Sequence, residues 1–401
     1  MRRVAAGSLA AASWASILLF ALSSALWGRQ PPQHIQMLVS PERLESMRLI
    51  TEQTGWLATD HRLLWTTDAG RHWSLITPSM RPMESISSAF FLNTSVGWAL
   101  LSYAIDDDNG DKDEVGFDLA STKDSGASWT IEHLNVPDPQ PDTGLSSDAW
   151  VSFSDAIHGW ILVRMSTSVA TSSGVFLATR DGGKSWKQLD GPPIAGPFEF
   201  TTPEQAWLTG GPDDELYRTE DGGKHWRQIS VPTPSDSNST YELPTFRDPQ
   251  HGLLSVLFES TVDTKRILFS TDDGGRTWER EAELAEGNSA RMPDAVTGGV
   301  WISCSSAMVH ELVLRTFEEA TKSNRSITAD IGDERLGTVF QIDFPDALHG
   351  WVIVSLRDCA SAQTWCEELL STQDGGASWA EITPAQVKPR LLGGAVEPHR
   401  W

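Results

Sequence analysis

Short apolar or alternating segments, each bounded by turn-forming residues, run along nearly the whole chain. SISSAFFLNTSVGW alternates and then breaks at Gly97; GWALLS and GWVIV run out of such breaks; GFDLAST and ELLST lead into polar turns, and WTIEHL and WKQL leave them. Runs of this length with period-two alternation predict β-strands. Helical periodicity is absent outside the N-terminus. The strands fall into groups of four, so the pattern predicts an all-β chain of repeated four-stranded units.

The turns themselves repeat. TTDAGRHW, TKDSGASW, TRDGGKSW, TEDGGKHW, TDDGGRTW and TQDGGASW share Thr-x-Asp-x-Gly-x-x-Trp. A repeated phrase of this kind marks a repeat architecture. Asp68, Asp124, Asp181, Asp221, Asp273 and Asp374 can each fold a carboxylate back onto backbone N–H groups of a tight hairpin. Gly70, Gly126, Gly183, Gly223, Gly275 and Gly376 supply a positive φ there. Trp73, Trp129, Trp186, Trp226, Trp278 and Trp379 open the next strand and fill space between neighbouring sheets. Each phrase therefore reads as a structural clasp.

A looser phrase precedes each clasp: TGW, VGW, HGW, QAW, HGL, GVW and HGW, ending at Trp56, Trp98, Trp160, Trp207, Leu253, Trp301 and Trp351. It outnumbers the clasps by one, and the interval from Asp273 to Asp374 is about twice the others. Aligning from Trp301 places a decayed clasp at LRTFEEATKS, where Ala320 and Ser323 replace the Gly and Trp. The expectation is a seven-bladed β-propeller of four-stranded blades, spanning 46–384 with blades at about 46–77, 86–134, 148–190, 197–231, 243–283, 294–328 and 337–384. A solenoid of stacked hairpins is the alternative.

These phrases resemble the Asp-box (bacterial neuraminidase) repeat family, and within it the single-propeller proteins similar to photosystem II stability and assembly factors. The resemblance covers residues 46–384 and implies that the clasps lie on the outer, non-catalytic side of the propeller, between third and fourth strands. It further implies a non-enzymatic scaffold that binds an envelope protein. The same family holds sialidases and endoglucanases, so a carbohydrate-binding or glycoside-hydrolase propeller is the alternative. The sialidase pattern is not matched: only Tyr103, Tyr217 and Tyr241 are present and no Arg-Ile-Pro stands near the start.

Residues 1–28 begin Met-Arg-Arg and continue as an apolar run, which reads as a signal peptide with cleavage after Ala25 or as a retained membrane anchor. Residues 29–45 read as linker and 385–401 as a C-terminal tail. The chain is thus expected to be exported, periplasmic, extracellular or tethered by its N-terminus, and monomeric. A net charge of −23 disfavours nucleic acid, which needs a basic footprint. It also departs from the basic patch that the family resemblance implies.

Length variation falls in the second-to-third and fourth-to-first connections, which share one face of a propeller, and loops there carry function. Tyr103, Tyr241 and Trp365 are the candidate contacts on it. The loop SYAIDDDNGDKDEVG offers Asp107, Asn109, Asp111 and Asp113 as candidate Ca²⁺ ligands, although it lacks the Gly and distal Glu of an EF-hand. No other cofactor is indicated. Cys359 and Cys366 bracket one loop and are a candidate disulfide in an oxidising compartment. His158, His251 and His349 recur at one repeat position, which points to scaffold.

Overall fold

A computed structural model of the chain describes residues 43–385, except 106–113, 138–143, 167–172, 212–213, 235–236, 247, 262–263, 285–299, 305–310, 317–326, 331–335, 347 and 357–365. All regular elements described are β-strands. They build six blades of four antiparallel strands. The first comprises Leu44–Leu49, Gly55–Thr59, Leu63–Thr66 and Ser74–Leu75; the second Ser85–Phe91, Gly97–Ile105, Glu114–Thr122 and Thr130–Leu134; the third Gly144–Phe153, Gly159–Ser166, Gly174–Thr179 and Lys187–Leu189. The fourth comprises Phe198–Phe200, Ala206–Gly210, Glu215–Thr219 and Arg227–Ile229. In the fifth, the first strand is split into Asn238–Tyr241 and Thr245–Phe246, both paired to Gly252–Glu259, which is followed by Thr264–Thr271 and Glu279–Leu284. The split falls at Pro244, which has no N–H to give to a ladder. The sixth comprises Leu336–Asp343, Gly350–Leu356, Cys366–Thr372 and Ala380–Glu381.

The fold is therefore an all-β propeller, but the expectation of seven four-stranded blades is corrected to six. Between the fifth and sixth blades the chain forms a sheet with three strands among the described residues, Val300–Cys304, Glu311–Thr316 and Ile327–Asp330. This is the repeat that carries Ala320 and Ser323 in place of the clasp Gly and Trp. Counting GW-type turns credited it with a full blade, whereas such a turn marks only the junction of a first and a second strand, and among the described residues no first strand pairs with Val300–Cys304. The first blade also opens two residues before its expected start, at Leu44.

The core lies between blades. Trp98 of the second blade stacks on Phe153 of the third at 3.6 Å between ring centres, and Trp160 of the third stacks on Phe200 of the fourth at 3.4 Å. The clasp glycines of the second to fifth blades face the preceding blade: a Cβ on Gly126 would stand 2.8 Å from Ile76, and one on Gly275 would stand 2.4 Å from Trp207. The same contact recurs from last to first, since a Cβ on Gly70 would meet Ile382 at 2.4 Å. Trp73 Nε1 donates to the Ile382 carbonyl at 3.0 Å, just as Trp129 Nε1 donates to that of Ile76 at 2.6 Å. Trp351, 1% exposed, packs with Leu44, Met47, Leu49 and Leu57 of the first blade. The first and sixth blades thus meet as sequential neighbours do, although each is made from its own stretch of chain and, among the described residues, no strand is exchanged.

Candidate functional site

At each clasp the hydrogen bonding is the same. In the third blade, Thr179 Oγ1 donates to Asp181 Oδ1 at 2.7 Å and accepts from Gly183 N at 3.0 Å, while Ser185 N donates to Asp181 Oδ1 at 3.0 Å and its hydroxyl to Oδ2 at 2.5 Å. These donors, the Ser185 hydroxyl foremost, hold the Asp181 carboxyl down to about 2. At Asp68 the His72 ring does the same work, again to about 2. At Asp221 and Asp273 burial pushes upward but is outweighed by the hydrogen bonds of His225 and Thr277, and both settle at about 2. Asp124 and Asp374 are lowered by Ser128 and Ser378. A carboxylate whose lone pairs are committed to its own turn is a poor acid or base, so the clasps organise the fold and leave chemistry to other groups.

The GW-type turns are built on similar logic. Asp155 Oδ1 accepts from Ile157 N and His158 N, both at 2.8 Å, and its Oδ2 meets His158 Nδ1 at 2.7 Å. Asp248 with His251 and Asp346 with His349 repeat the arrangement.

On the opposite face, where the second-to-third and fourth-to-first connections lie, the second blade carries a connected polar group. Asp118, 4% exposed on the third strand, accepts from Arg81 Nη2 at 2.7 Å and pairs with His133 Nδ1 at 3.0 Å. Tyr103 OH lies 3.2 Å from the same His133 nitrogen, and the Arg81 guanidinium stacks 4.1 Å above the Tyr103 ring. The ring lies over Gly116 of the paired strand, where a Cβ would stand 2.5 Å from it. Arg81 opens the turn Arg81–Pro82–Met83–Glu84, which the buried Glu84 closes by accepting Arg81 N at Oε2, 2.6 Å. Proline at the second position and positive φ at the third are the marks of a type II turn, a site that favours glycine. Here the third position is Met83, at φ 63 and 89% exposed.

The first blade adds a carboxyl pair on this face. Burial, then the charge of Asp60 and a hydrogen bond to it, raise the Glu45 carboxyl above its ordinary range, while Arg43 works against them. Burial likewise raises Glu367, which accepts from Leu44 N and pairs with Arg43 at 3.5 Å.

Of the residues expected on the binding face, Tyr103 lies half-buried on the second strand of the second blade, beside Arg81 and His133. Tyr241 is not a surface residue: it is 8% exposed within the core of the fifth blade, and its hydroxyl accepts from Val231 N. Its position in a polar stretch pointed outward, but the alternation of Asn238–Tyr241 turns its ring into the core. Trp365, Cys359 and the Asp107, Asn109, Asp111 and Asp113 group lie outside the described residues, and Cys366 opens the third strand of the sixth blade. Arg81 and Met83 were missed, although a Pro-x pair before an alternating strand is a readable turn signal. Also missed was a cavity of about 520 Å³ at the GW-turn end, lined by Phe90, Phe200, Gln205 and Trp207 among others. Arg48 and Glu199, from the first and fourth blades, approach to 3.9 Å within it.

No family model matches the chain, and no curated protein matches it. Among solved structures, YCF48 from Cyanidioschyzon merolae aligns at 16% identity and TM-score 0.44, over 78% of this chain and 88% of that one. YCF48 bound to a D1 peptide aligns at 16% and 0.39, over 87% and 83%. A prolyl endopeptidase structure aligns at 10% identity and TM-score 0.53, over 85% of this chain and 49% of that one, a likeness of fold alone. Glycoside hydrolases are also among the matches.

Proposed function

We propose that the chain is an exported, non-enzymatic propeller that binds a protein of the cell envelope through the face bearing Arg81, Met83 and Tyr103. The observation that carries this reading is Met83, a large apolar side chain held out in solvent on a turn position that favours glycine. Backbone strain at an exposed residue costs of order 1 kcal/mol and is retained where a surface is used. Beside it, Asp118 and Tyr103 already fix Arg81, so little side-chain freedom remains to be lost on docking. Arg and Tyr are the residue types that dominate interface energetics.

The Asp-box resemblance of the clasps is in keeping with such a scaffold, and the acidic balance of the chain, −23, favours a partner with a basic contact surface. A glycosidase is favoured less. Its two carboxyls flank a gap of about 5 Å or more that admits the scissile bond or a water, whereas the raised carboxyl of Glu45 owes its shift to burial and then to the charge of Asp60, with Arg43 working against them.

The test is crosslinking with mass spectrometry in the native envelope, on wild type and on Met83→Gly and Tyr103→Ala. A reproducible protein partner that both variants lose supports the reading. Unchanged partner recovery in both, or retrieval of glycan alone, refutes it.

A further inference from the structure

The junction of the first and sixth blades is the one place where the ring is completed by two segments from opposite ends of the described chain. Among the described residues no ladder of backbone hydrogen bonds crosses it; bonds to side chains do, with Leu49 N donating to Asp343 Oδ2 at 2.6 Å and Met47 N to Gln341 Oε1 at 3.0 Å. At its GW-turn end, Glu52 of the first blade faces Asp346 and His349 of the sixth. A ligand atom of each lies within 4.8 Å of the other two.

We infer that Glu52, Asp346 and His349 bind a divalent transition ion of the zinc class, which staples the ring shut at this junction. One imidazole with two carboxylates suits such an ion better than calcium, which takes oxygen ligands alone. The geometry is set up on the sixth-blade side. Asp346 Oδ1 accepts from Leu348 N at 2.7 Å and His349 N at 2.8 Å, which orients the carboxylate and leaves Oδ2 directed at His349 Nδ1, 2.9 Å away. A tetrahedral ion with bonds of about 2.0–2.1 Å spaces its ligands roughly 3.3 Å apart. The Asp346–His349 pair is already at that spacing to within a few tenths of an ångström. Glu52 Oε2 stands 4.0 Å from His349 Nδ1 and is exposed, so a small side-chain rotation brings it in.

Binding at His349 Nδ1 replaces its hydrogen bond to Asp346, and the neutral ring carries its proton on Nε2 instead. The other two Asp-x-x-His turns serve as internal comparisons. Asp155 with His158 and Asp248 with His251 have the same local hydrogen bonds, but among the described residues neither gathers a three-ligand group. The recurring turn is therefore scaffold in every blade that has it, and at the ring junction Glu52 converts it to a ligand set.

The experiment uses the full chain freed of metal with EDTA, titrated with zinc chloride by calorimetry and melted with and without it. We expect one zinc bound per chain through this site, a melting temperature raised by zinc, at least tenfold weaker binding in Glu52→Gln and in His349→Gln, and no change in His158→Gln or His251→Gln. Glu52 is on the surface, so its variant keeps the fold. The inference falls if the wild type takes up no zinc, or if Glu52→Gln and His349→Gln bind and respond as the wild type does.

Discussion

If the sixth and first blades are packed as tightly as sequential neighbours, removing Trp351 must damage the whole domain. Its ring is 1% exposed, lies 5.4 Å from that of Trp73, and covers Gly55 so closely that a Cβ there would stand 2.6 Å from it. A tryptophan of this kind buries about 200 Å², which at roughly 25 cal/mol per Å² is about 5 kcal/mol, and measured truncations of large core aromatics cost about 3–5 kcal/mol. We expect Trp351→Ala to lose about 4 kcal/mol, a large share of the 5–15 kcal/mol typical of a domain. Trp160 is the internal reference: it holds the same repeat position, is 3% exposed and stacks on Phe200 at an ordinary junction. Urea unfolding followed by tryptophan fluorescence and by circular dichroism measures both variants. Equal losses within about 1 kcal/mol support a closed ring. A loss below about 1 kcal/mol for Trp351→Ala beside a full loss for Trp160→Ala would refute it.

Three further outcomes follow from local geometry. Gly275→Ala combines φ 79 with a Cβ 2.4 Å from Trp207 and should cost about 2 kcal/mol or more, whereas Gly144→Ala, with nothing within 4 Å, should be close to neutral; thermal melts compare the two. Acid should unfold the propeller between about pH 4 and 2, because the clasp carboxyls drop from 3.8 to about 2 on folding and their contribution, complete above the unfolded value, disappears as pH falls through the folded one. Glu45 and Glu367 act in the opposite sense, their contribution being complete below the ordinary 4.5 and lost as pH rises through their raised values, so unfolding centred above pH 5 in a circular-dichroism titration would contradict the account. Met83→Gly should relieve the left-handed strain, raise stability by up to about 1 kcal/mol and yet weaken partner capture; a variant that loses stability would show that Met83 is held by packing.

The clasps and GW turns were legible because their chemistry is local. A Thr-x-Asp-x-Gly-x-x-Trp phrase closes its own hydrogen bonds within five residues, so the strands on either side are marked in the sequence before any tertiary contact forms. The alternation around them gave the strand order within each blade for the same reason. Arg81, Tyr103, Asp118 and His133 were less readable, since they come from a connection and three strands and meet only when the second blade pairs in register.

What the sequence determined by itself is the unit: a four-stranded blade, its turns and the positions of its clasp. How many complete units assemble was decided by tertiary structure, because a GW turn secures two strands while a blade needs its remaining strands paired as well, and the stretch around Trp301 supplies three among the described residues. Ring closure was likewise invisible along the chain. Trp351 reaches Gly55, and His349 reaches Glu52, only because curvature accumulated over successive blades returns the last one to the first.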